Sequence, residues 1–547
     1  MPSLRSGSRV LAIVPALALL ALSSAASAQD APRVRTTAGL VLGETLARGT
    51  VPIHAFRGIP FAAPPVGALR WRAPQPPEPW EGERACTRFS PACPQPQDLT
   101  SGLAFRTQSE DCLYLNVWTP SLEPARGLPV MVWIHGGGNL VGGAGSPVYD
   151  GRHLAAAGVV LVSIQYRLGV FGYFAHPALS AENAELEQRA SSGNQGLLDQ
   201  LAALRWVQAN IAAFGGDPDC VTIFGESAGA ANVTHLMASP LAAGLFHRAI
   251  AQSGYYGENT PPLDGRVARG TSGHALGKDV AKRLGVEGED RDALAKLRAL
   301  SVDELLAIPV AIGSLGNAER GERALHPGPI VDGHVLPEAP ELVWSSGRMA
   351  KVPFLAGSLL DDGSVFSRSL PVRRVLGYRL ALRTLFGADA DEVFALFPAA
   401  DDAAVKDAAH ELITAYAFTA PARRLCRFVE AAGGTSWLYQ FTRRPQRGRA
   451  AREGVFHGLE IGYVFGTLAA FGDERDAALS AELIRRWTDF ARHGDPNGPA
   501  VDNGSPSPWP PHTRAADEHY EFGDESRVGT GLARAACDRF DAIAARR

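Results

Sequence analysis

Apolar residues are concentrated in several short runs that few polar residues interrupt. Two of these runs are 128–138 (LPVMVWIHGGG) and 158–169 (GVVLVSIQYRLG), and a third is 220–224 (CVTIF). Near-continuous runs of β-branched and apolar residues are typical of strands that are buried on both faces. Similar runs at 352–357 (VPFLAG) and 435–443 (TSWLYQFTR) predict that strands return later in the chain.

Helical periodicity separates these predicted strands. The segment 193–218 carries apolar residues at the spacing of one helical face, and the pattern ends at paired glycines. Other helices are predicted at 149–158, after residue 228, and at 478–494. Strands that alternate with helices predict an α/β fold with a large, mostly parallel central sheet and helices on both faces.

No repeat or clear linker divides the chain. The segment 260–345 is polar, helical in pattern and interrupted by glycines, and we interpret it as an insertion that leaves the sheet. We therefore expect residues 29–547 to form one domain with extensive loop and helix insertions.

The first 28 residues have the pattern of a secretory signal peptide. Arg5 and Arg9 precede an apolar run, and the small residues ASA stand at 26–28, where signal peptidase prefers them. The apolar run is too short and wrongly flanked for a membrane span. We expect residues 1–28 to be removed and the protein to be secreted or periplasmic.

Composition and charge exclude some classes of partner. The 547 residues carry a formal charge of −4, which becomes −6 without the first 28 residues because these contain two arginines and no acid. A mildly acidic chain without a basic stripe is not expected to bind nucleic acid. No other apolar run approaches the length of a membrane span, and no Cys or His cluster has zinc-site spacing. The oligomeric state stays open.

The segment GESAG at 225–229 matches the pattern G-x-S-x-G. A glycine-serine turn on a surface loop is the alternative interpretation of so short a pattern. However, a predicted buried strand precedes it and a predicted helix follows it. This context places Ser227 on a sharp strand-to-helix turn with its hydroxyl exposed, and it favours Ser227 as a nucleophile.

A second glycine-rich segment, HGGG at 135–138, follows another predicted strand. Consecutive glycines allow backbone N–H groups to approach a substrate oxygen that becomes negatively charged during acyl transfer. A flexible glycine loop is the alternative. Two independent matches in one chain favour the catalytic interpretation.

A serine nucleophile requires a base. In chain order the serine is followed by the acid and then the histidine. His457 lies in a glycine-flanked loop after the last strong predicted strand, where the base is expected. The acid must then lie between Ser227 and His457, and the segment 352–366 (VPFLAGSLLDDGSVF) offers Asp361 and Asp362.

Several longer segments resemble the type B carboxylesterases, the cholinesterase-like and para-nitrobenzyl esterase-like branch of the α/β hydrolases. They are 56–74 (FRGIPFAAPPVGALRWRAP), 110–120 (EDCLYLNVWTP), 214–229 (FGGDPDCVTIFGESAG), 246–254 (FHRAIAQSG) and 455–466 (VFHGLEIGYVFG). The resemblance covers nearly the whole chain after residue 28. It implies the α/β-hydrolase fold and a serine esterase without metal or other cofactor.

The resemblance also implies roles for individual residues. Ser227 is expected to be the nucleophile and His457 the general base, with Asp362 as the acid that orients the base. The expected donors of the oxyanion hole are the backbone N–H groups of Gly137, Gly138 and Ala228. The residues expected at the substrate pocket are Asn139, Glu226 and Tyr255.

The six cysteines are disulfide candidates because exported proteins meet an oxidising compartment. Spacing alone does not determine the pairing. The resemblance implies one bond between Cys93 and Cys112 and a second between Cys426 and Cys537. The cysteines to which it assigns no partner are Cys86 and Cys220.

Three features depart from the family pattern. Asp362 stands where the family has Glu, which gives about 1.5 Å less reach, so Asp361 or another acid is the alternative. Asn139 stands where a bulky aromatic residue is usual. The segment between Cys93 and Cys112 has no tryptophan to hold a cationic substrate, which argues against a choline esterase.

The sequence thus predicts a secreted serine carboxylesterase that acts on small-molecule esters through an acyl-enzyme. A lipase, a polyester hydrolase or an amidase of the same fold is the alternative, because the catalytic residues do not separate these activities. A non-catalytic binding protein of the same family is disfavoured, since such relatives typically lack the nucleophile or the histidine.

Overall fold

The structure is a computed structural model that describes residues 31–46, 51–96, 105, 107–255, 260–265, 271–308, 328–368, 370–468, 472–499 and 508–546. The predicted signal peptide lies outside the described residues. The strands are β1 (Arg33–Arg35), β2 (Leu40–Leu42), β3 (Glu44–Leu46), β4 (Ile53–Pro60), β5 (Glu83–Ala85), β6 (Tyr114–Thr119), β7 (Leu128–Ile134), β8 (Val160–Ile164), β9 (Gly216–Glu226), β10 (Arg248–Gln252), β11 (Phe354–Leu359), β12 (Ser436–Phe441), β13 (Glu518–Phe522) and β14 (Arg527–Thr530).

These strands form two sheets. The larger sheet has the order β14-β13-β12-β11-β10-β9-β7-β8-β6-β4-β3, and the smaller one has the order β1-β2-β5. All neighbours from β13 to β8 are parallel, whereas β6, β4 and β3 at one edge and β14 at the other pair antiparallel. The predicted α/β class with a mostly parallel sheet is confirmed, and the antiparallel edges are an addition to it.

Helices connect and cover the strands. They are α1 (Arg152–Ala156), α2 (Gly169–Tyr173), α3 (Pro177–Glu187), α4 (Gln195–Asn210), α5 (Ala228–Ala238), α6 (Gly273–Arg283), α7 (Arg291–Ala299), α8 (Val302–Leu306), α9 (Pro340–Ser345), α10 (Ser364–Ser367), α11 (Val375–Phe386), α12 (Ala390–Leu396), α13 (Val405–Ile413), α14 (Ala420–Ala431), α15 (Gly448–Glu453), α16 (Ile461–Val464), α17 (Glu474–His493) and α18 (Arg534–Ala544). None of the described helices combines the length and the apolar composition needed to cross a membrane.

The two faces of the sheet bury separate apolar clusters, which explains the near-continuous apolar runs. Along β7, Val130 and Val132 pack into one cluster together with residues of α4, α5 and α14. The intervening Met131 and Trp133 pack into the other cluster with residues of α1, α16 and α17. Because successive side chains of a strand point to opposite faces, a strand covered on both faces must be apolar at every position.

The segment 260–345 leaves the sheet as predicted. It contributes α6 to α9, although 266–270 and 309–327 lie outside the described residues. Its helices α6 and α7 pack on α2 and α3 through a separate apolar cluster that includes Phe174, Leu179 and Leu294. A further cluster joins α11, α12 and α13 to the C-terminal α18. That residues 29–547 form one domain stays a prediction.

One of the two expected disulfides is present. Cys93 and Cys112 are bonded, and both are buried. The expected bond between Cys426 and Cys537 is wrong, because both are free and their sulfurs face different clusters. The sulfur of Cys426 lies 3.8 Å from the Trp437 carbonyl of β12, whereas that of Cys537 lies 3.8 Å from the Leu532 carbonyl before α18. The remaining free cysteines are Cys86 and Cys220.

A buried ion pair fastens the loop after β8 to α4. The guanidinium of Arg167 donates to both carboxylate oxygens of Asp199 at 2.8 and 2.7 Å, and the Arg167 backbone N–H donates to the same carboxylate at 3.0 Å. The side chains are 3% and 0% exposed. Removal of one partner therefore leaves the other charge buried without compensation.

We expect Asp199→Asn to lower the free energy of unfolding by about 3 kcal/mol, measured by urea denaturation. The matched control is Glu83→Gln, which breaks the exposed pair of Arg33 and Glu83 at 2.7 Å and should cost about 1 kcal/mol or less. Equal losses in the two variants would contradict the importance of the buried pair.

Candidate active site

Ser227 lies on a sharp turn between β9 and α5. Its φ angle of 56° is in the left-handed region, which serine rarely adopts, and its side chain is half-buried. The Ser227 N–H donates to the Gln252 carbonyl at the end of β10 at 2.9 Å. A serine held in this conformation at the top of a parallel sheet presents its hydroxyl to the space above the strands.

Glycine is required where this turn meets the end of β7. A Cβ atom on Gly229 would overlap the carbonyl oxygen of Ile134 and would lie 2.8 Å from that of His135. The G-x-S-x-G pattern therefore lets the helix that follows Ser227 approach the HGGG segment at backbone contact distance.

The HGGG segment forms a tight loop beside Ser227. Gly137 and Gly138 have positive φ angles of 104° and 65°, and the Gly137 carbonyl accepts the N–H groups of Leu140 and Val141. Among the described residues, the N–H groups of Gly137, Gly138 and Ala228 donate to no backbone carbonyl. They are thus available as donors, and their role as the oxyanion hole stays a prediction.

Asn139, the residue after the glycine run, is buried and hydrogen-bonded. It is 2% exposed, and its side-chain oxygen accepts from Asn232 of α5 at 2.8 Å and from the Tyr173 hydroxyl at 3.3 Å. Its φ of 55° suits asparagine better than a bulky aromatic residue. Asn139 therefore fastens the glycine loop to the helix that follows Ser227, and its place at the substrate pocket stays a prediction.

His457 contacts Asp362. The Nδ1 atom of His457 lies 2.8 Å from Oδ1 of Asp362, which is fully buried. The other Asp362 oxygen accepts from the Ser253 hydroxyl at 2.9 Å and from the Leu359 N–H at 2.7 Å. The shorter aspartate therefore reaches the imidazole because the loop after β11 brings it close.

Two phenylalanine rings enclose the imidazole of His457. The ring of Phe366 from α10 lies 5.2 Å away, and that of Phe418 lies 4.7 Å away, measured between ring centroids. Phe418 belongs to a π-helical turn, Thr414–Thr419, which joins α13 to α14. In the same turn, the Thr414 hydroxyl accepts the N–H of Gly363, the residue after Asp362, at 2.8 Å.

The second ring nitrogen of His457 faces a carboxylate. Its Nε2 atom is 3.2 Å from Oε1 of Glu226, although the two atoms lack hydrogen-bond geometry. Within the described residues, no hydrogen bond joins Nε2 to the Ser227 hydroxyl.

Three buried carboxylates surround this single imidazole. Burial raises the pKa of Glu226 to about 7, against the opposing effect of His457. Burial, with repulsion from Glu226 and Asp362, raises the pKa of Glu460 to about 8. Burial disfavours the imidazolium of His457, but the carboxylates of Glu226 and Asp362 outweigh this effect and raise its pKa.

The structure brings together most of the predicted site, and it adds residues that sequence reasoning missed. Tyr255 follows β10, where its carbonyl accepts from Thr234 at 2.7 Å, and its side chain is 38% exposed, so its pocket role stays a prediction. The missed residues are Ser253, Phe418 and Glu460. Ser253 and Glu460 had a signal, because they stand in the segments 246–254 and 455–466 that resemble the family, whereas Phe418 stands in none of these segments. Among the described residues, no group of His, Cys, Asp or Glu has the arrangement of a metal site.

Comparison with known proteins agrees with this geometry. A family model described as Carboxylesterase family matches residues 30–540. A protein named fumonisin B1 esterase from Sphingopyxis macrogoltabida is 38% identical over 542 residues, which cover 97% of this chain and 94% of the relative. Para-nitrobenzyl esterase from Bacillus subtilis (strain 168) is 37% identical over 472 residues, covering 84% and 88%. Liver carboxylesterase from Sus scrofa is 37% identical over 539 residues, covering 90% of each chain.

We expect Glu226→Gln to lower the pKa of the His457 imidazole by roughly one to three pH units, because it removes a nearby negative charge that favours the imidazolium. An NMR titration of the ring protons measures this pKa, and His457→Gln assigns the signal.

The matched control is Glu460→Gln, which removes a buried carboxylate with a weaker effect on His457. It should lower the same pKa by less. A larger shift in Glu460→Gln than in Glu226→Gln would contradict the assignment of Glu226 as the closest charge to Nε2.

Proposed function

The chain belongs to the carboxylesterase family and is a carboxylic ester hydrolase, and on that premise we propose that it hydrolyses small-molecule esters through an acyl-enzyme on Ser227. In this proposal His457 is the general base and Asp362 the acid that orients it. The N–H groups of Gly137, Gly138 and Ala228 stabilise the oxyanion.

One observation supports this proposal most directly. The 2.8 Å contact between Asp362 and the Nδ1 atom of His457 leaves Nε2 as the ring nitrogen that is free to accept a proton. Asp362 is itself held by Ser253 and by a backbone N–H, so its carboxylate is oriented before substrate binds. A fixed carboxylate that selects the tautomer of the base is what a serine nucleophile requires.

The reaction then proceeds in two halves. The Nε2 atom of His457 takes the proton of the Ser227 hydroxyl as Oγ attacks the ester carbonyl. The resulting oxyanion accepts hydrogen bonds from the backbone N–H groups of the oxyanion hole. The protonated imidazole gives its proton to the leaving alcohol, which leaves an acyl group on Ser227. Water then repeats these steps, which releases the carboxylic acid and restores the serine.

Glu226 has a place in this sequence through its charge. The carboxylate lies 3.2 Å from Nε2, so it stabilises the imidazolium that forms in each half-reaction. The same charge helps to raise the pKa of His457 to about 9, so the neutral, basic form is the minor form below that pH. We therefore propose that Glu226 supports proton transfer and does not bind substrate.

The alternatives differ in what supports them. A non-catalytic binding protein is disfavoured, because Ser227 and His457 are both present and His457 is paired with a buried acid. A lipase, a polyester hydrolase or an amidase would use the same residues, and no contact described above favours one of them. We also propose that the protein is exported, which the pattern of residues 1–28 supports.

We expect Ser227→Ala to lose nearly all hydrolysis of p-nitrophenyl acetate and p-nitrophenyl butyrate while it remains folded, because no other group can form the acyl-enzyme. Steady-state kinetics and circular dichroism provide the two measurements. A labelled fluorophosphonate should react with the wild-type protein and not with the variant. Full activity in Ser227→Ala would overturn the proposed mechanism.

We expect Asp362→Asn to lower kcat on the order of 10⁴-fold, because the amide stabilises the wrong tautomer of the imidazole. The matched control is Asp332→Asn, which changes another buried aspartate that accepts a backbone N–H, that of Leu336 at 2.9 Å. The control should retain its kcat. A kcat near the wild-type value in Asp362→Asn would assign the acid to another residue.

A further inference from the structure

Asp361, the neighbour of Asp362, contacts the loop that carries His457. Its Oδ2 atom accepts the N–H of Val455 at 2.8 Å, and its own N–H donates to the Val455 carbonyl at 3.1 Å. Asp361 also forms a parallel β-bridge with Phe456. The side chain and the backbone of Asp361 therefore both hold the segment 455–456.

This segment ends at the imidazole. Val455 is fully buried, and only Phe456 separates it from His457. The preceding Gly454 has a φ angle of 77°, and a Cβ atom there would lie 2.5 Å from Oδ2 of Asp361. The backbone of Gly454 and Val455 is thus in direct contact with the Asp361 carboxylate, so neither can move without the other.

The two adjacent aspartates act on successive parts of one loop. Asp362 holds the ring of His457, whereas Asp361 holds the backbone two residues before that ring. We infer that Asp361 is a positioning residue, which fixes the backbone from which His457 reaches both Asp362 and Ser227. This inference rests on the proposed function, because it assigns Asp361 a role in the placement of the base.

The hydrogen bond explains this role better than the charge of Asp361 does. The basic side chains near the Asp361 carboxylate are Arg444 at 3.6 Å, which is 61% exposed, and the imidazole of His410 at 3.7 Å. Partly exposed pairs at such distances contribute little. The Val455 N–H, by contrast, is buried and would lose its acceptor. An amide at position 361 keeps the acceptor, whereas a methyl group removes it.

The experiment compares Asp361→Ala with Asp361→Asn in the full chain, with p-nitrophenyl butyrate as substrate. Asp361→Ala should lower kcat about 10- to 100-fold with KM changed by less than about 2-fold, because a displaced base affects the chemical step more than binding. Asp361→Asn should keep kcat within about 3-fold of the wild-type value, because its side-chain oxygen still accepts the Val455 N–H.

The matched control is Asp402→Ala. Asp402 also accepts a backbone N–H from another segment, that of Val375 at 2.9 Å, but it lies in the loop between α12 and α13. Among the described residues, it forms no hydrogen bond or ion pair with the residues of the candidate site. It should retain both kcat and KM. This comparison separates a general loss of a loop contact from a loss that acts on the base.

Three results would overturn the inference. They are a wild-type kcat in folded Asp361→Ala, a loss in Asp361→Asn as large as that in Asp361→Ala, and a loss that appears in KM alone. If Asp361→Ala does not fold, Asp361→Glu replaces it, because it keeps the charge and displaces the acceptor. It should lower kcat more than Asp361→Asn does, and the opposite order would overturn the inference.

The failure of this inference is distinguishable from failure of the proposed function. Activity that survives in Ser227→Ala would overturn both the proposed function and the role of Asp361. An inactive Ser227→Ala together with a wild-type kcat in Asp361→Ala would remove the role of Asp361 alone and leave the catalytic residues in place.

Discussion

The site depends on the register of the central parallel strands β9, β10 and β11 at their carboxyl ends. Glu226 of β9 lies beside Gln252 of β10, and Gln252 lies beside Gly357 of β11. Because the carboxyl ends of neighbouring parallel strands lie on the same side of the sheet, the turns that follow them bring Ser227, Ser253 and the loop that carries Asp362 together. A slip of one residue in either pair would turn these side chains to the opposite face of the sheet.

The sequence was sufficient to predict the strands whose both faces are covered. In β7 every position is apolar, and in β8 every position except Ser163 is, since each face packs on helices; such a pattern remains visible without knowledge of the partners. The edge strands β3 and β14 are short and include exposed positions, so their apolar pattern is weak. The cluster of α11, α12, α13 and α18 joins distant parts of the chain, and only the tertiary structure reveals it.

Some parts of the candidate site could likewise be predicted from the sequence, and others could not. Ser227 and His457 stand in local motifs, so the sequence was sufficient to predict them as nucleophile and base. For the acid it favoured Asp362 and left Asp361 or another acid as the alternative. The contact of Glu226 with the imidazole depends on how far two loops fold over the sheet, and no spacing expresses that distance. The expected bond between Cys426 and Cys537 failed for a related reason, because resemblance of position does not determine which cluster a side chain enters.

The π-helical turn Thr414–Thr419 has a consequence for the length of the chain. A π-helical turn closes i→i+5 hydrogen bonds, so it contains about one residue more than the α-helical turn it replaces. In this register Thr414 contacts Gly363 and Phe418 contacts His457. The helix can therefore vary in sequence on its outer surface, but a change of one residue in its length would withdraw either the threonine or the aromatic ring. The number of residues in the run from α13 through α14 therefore constrains the site more than the identity of its outward-facing residues does.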